Sequence, residues 1–452
     1  MTTSIIAAEP SQRRRVLSGT LIGTTVEWYD FFIYAQAAAL IFGSQFFEPA
    51  SGENAAVGQI ISWASLGISF LFRPLGAVVA GDIGDRFGRK GVLVFTLIGM
   101  GLATFLIGVL PTYATWGIAA PLILVLLRII QGISAGGEWG GAALMAVEYA
   151  PKERRGLFGS APQVGVPAGL VLSTAVLVIV QAAIGHDAYL EWGWRIPFLL
   201  SFVLIIIGYL IRTAVDESPV FRAMQSESAE RSAPLPLLFK NHWRKVIQGA
   251  LIFAAQQAPG YLVIAFFGKF AQIPKENGGA GISPEMAWTG TLVAGVCWMI
   301  FMVLSGMISD SIGRARTFII GYVLLIIGEI FMWTLIGTGN SAIYLATLAF
   351  LALPLALTLG PLPAMYAEMF PADVRYSGVS IAYALGAILG GAFAPMITQM
   401  ILDSSSTETY VGDTWKVSVY LIALTIPAFI ALFLLPKDLE ERDLLNLKHE
   451  DA

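Results

Sequence analysis

The chain has 452 residues, 56% hydrophobic and only 13% charged, with a mean hydropathy of +0.72 and a net charge of −4. That balance excludes a soluble domain of this length. A single cysteine, Cys297, excludes an internal disulfide, and the scattered histidines His186, His242 and His449 offer no shared metal site.

A bilayer core takes roughly 20 apolar residues per helix, and about twelve windows of that kind can be placed between charged loops. They run Leu17–Gly43, Val57–Gly81, Val92–Leu110, Ala119–Ala146, Gly159–Ile184 and Pro197–Arg212, then Val246–Phe270, Ala287–Ser309, Phe318–Ile336, Ser341–Ala367, Ser377–Leu402 and Trp415–Leu435. The uninterrupted apolar runs lack the two-residue alternation of membrane strands, so an all-α integral membrane protein is expected. The organisation expected is a tail over residues 1–16, a six-helix bundle over 17–212, a linker over 213–245, a second bundle over 246–436 and a tail over 437–452. Lys and Arg concentrate on one side, among them Arg13 to Arg15, Arg86, Lys90, Arg154, Arg244, Arg316 and Lys437, which predicts both termini cytoplasmic. Arg13 to Arg15 precede an apolar run too long for a signal-peptide core, so the first helix is expected to stay.

The first helix carries VEWYDFFIY, Val26 to Tyr34. At 100° per residue, Glu27, Asp30 and Tyr34 share one face. A buried ionisable side chain costs roughly 2.5 to 3.5 kcal/mol on insertion scales, so each acid needs a partner or a task, unless it reaches interfacial water. In the second helix, FLFRPLG places Arg73 before Pro74, where the arginine either snorkels to the inner surface or is kept inside. The loop GDIGDRFGRKG, Gly81 to Gly91, follows; Asp85 and Arg89 lie four apart at a helix junction and read as a structural latch, because the spacing of a phosphate loop is missing.

The fourth helix reads RIIQGISAGGEWGGAALMAVE. Arg128, Gln131 and Trp139 fall within one arc with Glu138 at its edge, and Gly132, Gly136, Gly140 and Gly141 allow tight helix contact. Arg128 cannot be neutralised and needs an acid or a substrate anion. In the fifth helix, Pro162, Gly165, Pro167 and Gly169 predict a bend or break that would let Gln163 present its amide to a cavity. Gln256, Gln257 and Tyr261 interrupt the seventh helix with neutral hydrogen-bonding groups suited to a substrate, and Glu329 and Tyr383 are further candidates.

Two patterns recur. Gly81 to Gly91 returns as GMISDSIGRAR from Gly306, a shift of 225 that sets Asp85 on Asp310 and Arg89 on Arg314, with Ser311 where the first copy has Arg86. EYAPKERRG returns as EMFPADVRYSG, a shift of 220 that sets Glu148 on Glu368 and Arg155 on Arg375. The chain therefore reads as two related halves of one membrane protein.

The segments EWYDFF (Glu27–Phe32), FLFRPLGA (Phe70–Ala77), GDIGDRFGRK (Gly81–Lys90), RIIQGISAGGEWGGA (Arg128–Ala142), WGWRIPF (Trp192–Phe198) and DESPVF (Asp216–Phe221) resemble the metabolite:H⁺ symporter family of the major facilitator superfamily. The resemblance implies twelve transmembrane helices in two pseudo-symmetric six-helix bundles around a central cavity, with alternating access and proton coupling. It further implies that Arg128 and Asp30 serve coupling and that Asp85, Arg89 and Asp310 latch the gate. Family members carry shikimate, α-ketoglutarate, citrate or proline and betaine.

The function expected is proton-coupled import of a small organic carboxylate, shikimate-like or a related keto or dicarboxylic acid, across a bacterial inner membrane. Its partners would be that substrate, a co-transported proton and the lipid bilayer, with no nucleic acid, no cofactor and the monomer as the working unit. Asp30, Glu27, Arg128 and Glu138 would couple the proton. Tyr34, Arg128, Gln131, Trp139, Gln163, Gln256, Gln257, Tyr261 and Tyr383 would bind substrate. Asp85, Arg86, Arg89, Asp310, Arg314, Glu148, Arg155, Glu368 and Arg375 would gate. A proline or betaine symporter and a proton-driven exporter are the alternatives; an enzyme is not expected, because no nucleophile and base pair or metal cluster is present.

Overall fold

A computed structural model describes residues 10–52, 54–87, 89–213, 234–277, 279–403, 414–442 and 444, with backbone alone at 10–11, 84–87, 89–90, 211–213, 234, 264–265, 277 and 403. Among these residues every long element is a helix and no strand occurs. The first bundle holds α1 (Pro10–Ala37), α2 (Ala55–Phe87), α3 (Arg89–Val109), α4 (Ala119–Glu148), α5 (Arg155–Ile184) and α6 (Arg195–Thr213). The second holds α7 (Trp243–Tyr261), α8 (Pro284–Ile312), α9 (Arg314–Gly337), α10 (Ser341–Met369), α11 (Arg375–Leu402) and α12 (Thr414–Phe433).

Local chemistry sets several boundaries. The Ser283 hydroxyl accepts from the Met286 amide, with Pro284 at the first helical position, and Asn340 accepts from the amides of Ala342 and Ile343; each side chain takes up N–H groups a helix start leaves open. Gly313 joins α8 to α9 at φ +97°, which a side chain would oppose. Of the bend or break expected in the fifth helix, no break occurs. It runs unbroken over Arg155–Ile184 with Pro162 and Pro167 inside it. Its glycines serve packing instead: a Cβ on Gly165 would meet Thr24 at 2.7 Å and one on Gly169 would meet the Tyr29 backbone at 2.7 Å, so α5 lies directly on α1. The break falls in α4, at Gly136–Gly137 between Ala119–Ala135 and Glu138–Glu148.

Within the first bundle α1 packs on α5, α2 on α4 and α3 on α6; within the second, α7 packs on α11 and α12, and α10 on α8 and α9. The bundles meet along α5 with α8 and along α2 with α11. Apolar side chains face outward, including Phe95, Leu122, Ile179, Leu210, Ile300 and Phe331, while Glu27, Asp30, Arg73, Arg128, Glu138, Glu329 and Glu368 are buried. A chain that exposes its large apolar groups and hides its charges is a multi-pass membrane protein.

Candidate functional site

Close helix contact creates the site. A Cβ on Gly132 would stand 2.1 Å from the Ser69 carbonyl, and one on Gly136 would stand 2.1 Å from that of Arg73, so α4 touches α2 at backbone level. One turn before Gly132 on the same face, Arg128 therefore reaches across. Its Nη1 donates to Gln131 Oε1 at 2.7 Å, and its Nη2 donates to the Leu66 carbonyl at 3.1 Å and to Ser69 Oγ at 2.7 Å. The Tyr34 ring lies 3.8 Å from the guanidinium carbon, and its hydroxyl is bonded to Ser65 at 2.7 Å.

The direct Arg128 to acid pair that the sequence suggests is replaced by a chain. Gln131 Nε2 donates to Thr104 Oγ1 at 2.7 Å, and Thr104 Oγ1 lies 3.0 Å from both Asp30 Oδ2 and the Met100 carbonyl. A hydroxyl owns one hydrogen, so Thr104 serves one of those two acceptors at a time. Asp30 is 1% exposed, and its Oδ1 has no hydrogen-bond partner. Glu138, fully buried at the α4 break, is close enough to act electrostatically on Asp30.

Two cavities of about 10 Å³ each lie beside these groups. One is lined by Glu27, Asp30, Phe31, Ser69, Arg73, Met100, Arg128, Gln131 and Ala135. The other is lined by Trp28, Val166, Gln256, Gln257, Gly260, Tyr261, Trp298, Leu359 and Tyr383, drawing on both bundles. Gln256 donates to Gln257, whose amide lies 3.4 Å from the Tyr261 hydroxyl. Toward one end, Tyr383 stacks between Trp139 at 3.8 Å and Phe253 at 4.3 Å. Trp139 donates to Gln163 at 2.9 Å and Gln163 to the Leu359 carbonyl at 3.1 Å, so both residues close the cavity's end instead of lining it. Toward the other end Phe31, Phe70 and Tyr261 meet with ring centroids 5.4 to 5.5 Å apart.

Beyond the Trp139 stack sits a polar latch between the bundles. Asp310 of α8 accepts the amides of Gly156 at 2.7 Å and Leu157 at 2.8 Å, in the first turn of α5, where N–H groups and the helix dipole favour a carboxylate. Arg314 ties Asp310 at 2.8 Å to Glu368 at 3.3 Å. The repeated residues pair crosswise: Arg155 with Glu368 and Arg375 with Glu148, each at 3.6 Å. Tyr376 of α11 donates to the Gly137 carbonyl at 2.7 Å, filling the acceptor that the α4 break leaves open. The side chains of Asp85, Arg86 and Arg89 lie outside the described residues.

The family described as "Sugar (and other) transporter" matches residues 16–236 and again 222–437. The chain belongs to that family, within the major facilitator superfamily. Among its relatives, the inner membrane metabolite transport protein YhjE of Escherichia coli is 37% identical over 425 residues, covering 94% of each chain. The E. coli shikimate transporter is 34% identical, covering 96% of this chain and 99% of its own. The proline/betaine transporter of Salmonella typhimurium is 30% identical, covering 92% and 82%. In the solved structure of the proton:xylose symporter XylE bound to 6-bromo-6-deoxy-D-glucose, 97% of this chain and 99% of that one superpose with a TM-score of 0.79 at 19% identity, which shows the fold.

This member of the major facilitator superfamily is thus a membrane transporter and not an enzyme. One of its site residues does not stand out in the sequence, and a second is left undecided by it. Thr104 looks like any hydroxyl in an apolar helix until α3 meets α1. Arg73, which snorkelling would carry to the surface, is instead 4% exposed and lines the cavity with Glu27 and Asp30.

Proposed function

We propose that this transporter imports a small organic carboxylate together with a proton. The observation that carries the reading is the buried chain from Asp30 through Thr104 and Gln131 to Arg128 at the wall of a cavity. When Asp30 is ionised it takes the Thr104 hydrogen. When Asp30 is protonated it offers its own, and Thr104 turns to the Met100 carbonyl. Proton arrival is thereby felt at the Gln131 and Arg128 end.

Charge balance supports a monoanion. The charged groups lining the cavity are Glu27, Asp30, Arg73 and Arg128. With both acids ionised they sum to zero; one proton on Asp30 leaves a single positive charge, which a monocarboxylate cancels. A neutral load is the cheapest to carry through a low-dielectric interior. A cavity of about 10 Å³ holds roughly one water, so a six-carbon acid enters only when the bundles part. Opening and closing at alternate ends then requires the latch and the Phe31, Phe70 and Tyr261 contacts to break in turn. The Lys and Arg distribution supports the latch end and both termini being cytoplasmic, in a bacterial inner membrane, with the monomer as the working unit.

A second reading has its own support. Trp28, Tyr261, Trp298 and Tyr383 line one cavity, and aromatic faces attract quaternary ammonium groups, as in betaine. Proteoliposomes with an inward proton gradient, offered labelled shikimate, α-ketoglutarate, citrate, benzoate and glycine betaine, separate the two. Gradient-dependent accumulation of an acid is expected. Accumulation of betaine alone, or proton-driven efflux, would replace the proposal.

A further inference from the structure

Two buried arginines border the same cavity, and they are not equivalent. Arg128 spends both terminal nitrogens on its own walls, through Gln131, Leu66 and Ser69, and the Tyr34 ring covers its face. These bonds tie α4 to α2. Arg73 is 4% exposed, yet its Nε and Nη1 have no hydrogen-bond partner. Its guanidinium carbon stands 4.4 Å from the Phe70 ring and 6.0 Å from Trp28, and the Tyr383 hydroxyl lies within reach of the group.

A buried cationic donor without an acceptor is costly, and a structure retains one where something else completes it. The cavity offers that place: Arg73 lies on its wall among Phe31, Ser69 and Glu27. The flat aromatic neighbours fix the guanidinium plane, so its open N–H groups need no ordering when an acceptor arrives. Deepening the reading above and resting on it, we infer that Arg73 receives the substrate's carboxylate, whereas Arg128 positions the wall and senses the proton through Gln131.

The Tyr383 hydroxyl beside Arg73 extends the consequence. Tyr383 belongs to the stack with Trp139 and Phe253 at the latch end of the neighbouring cavity. An acceptor that takes over Arg73 competes with that hydroxyl, so substrate binding loosens one of the two layers closing the path. A substrate with a carboxylate at one end and a flat carbon skeleton that lies against Phe31 fits this arrangement.

The test compares wild type, Arg73→Gln, Arg73→Lys, Arg128→Gln and Asp30→Asn in proteoliposomes by counterflow exchange at equal pH on both sides. The probes are shikimate, benzoate, α-ketoglutarate, citrate and glycine betaine. Every one carries a carboxylate, so the Arg73 result stands apart from which of them is the cargo. Arg73→Gln is expected to abolish exchange at an unchanged melting temperature. Arg73→Lys is expected to restore it with KM raised about tenfold to a hundredfold, the range for a weakened charge-assisted hydrogen bond. Arg128→Gln is expected to lower the melting temperature while KM stays close to that of the wild type. Arg73→Gln exchanging with wild-type KM, or Arg128→Gln losing affinity at full thermal stability, would overturn the assignment. Asp30→Asn reports on proton coupling alone: its exchange survives if the symport reading holds. A wild type that exchanges no probe would overturn the carboxylate reading before any variant is compared.

Discussion

At the scale of the residue, the proposed proton site is a carboxyl held by one hydroxyl. Asp30→Asn keeps the shape and can still accept from Thr104, but it cannot bind and release a proton. Exchange of substrate at equal pH is therefore expected to persist while accumulation driven by a pH gradient falls to the level of empty vesicles. Thr104→Val keeps the volume and cuts the chain between Asp30 and Gln131. Its expected signature is a lower number of protons moved per substrate, read from simultaneous pH-dye and tracer fluxes; an unchanged ratio would mean the chain is not the coupling route. Asp30, Glu27, Arg128 and Gln131 were legible because ionisable and amide groups inside apolar windows are expensive, and helical spacing shows which share a face. Thr104 was not, because a threonine can satisfy its own helix; its role arises only where α3 brings it against Asp30. The partners of Arg128 were equally hidden, since they include a backbone carbonyl, which no side-chain pattern encodes.

At the scale of the element, the latch joins helix ends. Asp310 accepts two amides at the start of α5 while paired with Arg314. Asp310→Asn removes the charge from these contacts. A hydrogen bond to a charged group is worth about 1.5 to 3 kcal/mol, so the balance between latched and unlatched forms is expected to shift by roughly ten- to a hundredfold. Spin labels on α5 and α8 near the latch would report it as a longer distance population, and an unchanged distribution would show that the latch bonds do not set the equilibrium. Tyr376→Phe tests the α4 break in the same way, because it leaves the Gly137 carbonyl without its donor from α11. The duplicated motifs pointed to Asp310, Arg314, Glu148, Arg155, Glu368 and Arg375, which the structure brings into ion pairs. They did not announce that Glu148 and Glu368 exchange partners across the interface, because two copies of one pattern fit pairing within a half or between halves equally well. The α4 break and the continuous α5 were likewise illegible. Glycine permits both close packing and interruption, and proline in a membrane helix is tolerated where neighbours hold the segment, so the outcome rests on what lies opposite.

At the scale of the whole molecule, composition alone fixed the class, since a chain this apolar exposes its large hydrophobic side chains only to lipid. Cargo is a different matter, because it depends on the sum of charges brought to one point by three helices, α1, α2 and α4. That sum leads to the last expectation. If Asp30 takes one proton and the cavity takes one monocarboxylate, the loaded carrier has moved no net charge. Setting the membrane potential with potassium and valinomycin, at a fixed pH gradient, is then expected to leave the accumulation of a monoanion unaltered. A zwitterion such as betaine carried with one proton would behave otherwise. Each elementary charge gains about 2.3 kcal/mol per 100 mV, so an inside-negative potential of that size would raise its limiting accumulation about fiftyfold. Potential-driven accumulation of a monoanion would require at least two protons per turnover. The second acid would then be Glu27, which lines the same cavity, and Glu27→Gln should return the transport to electrical silence.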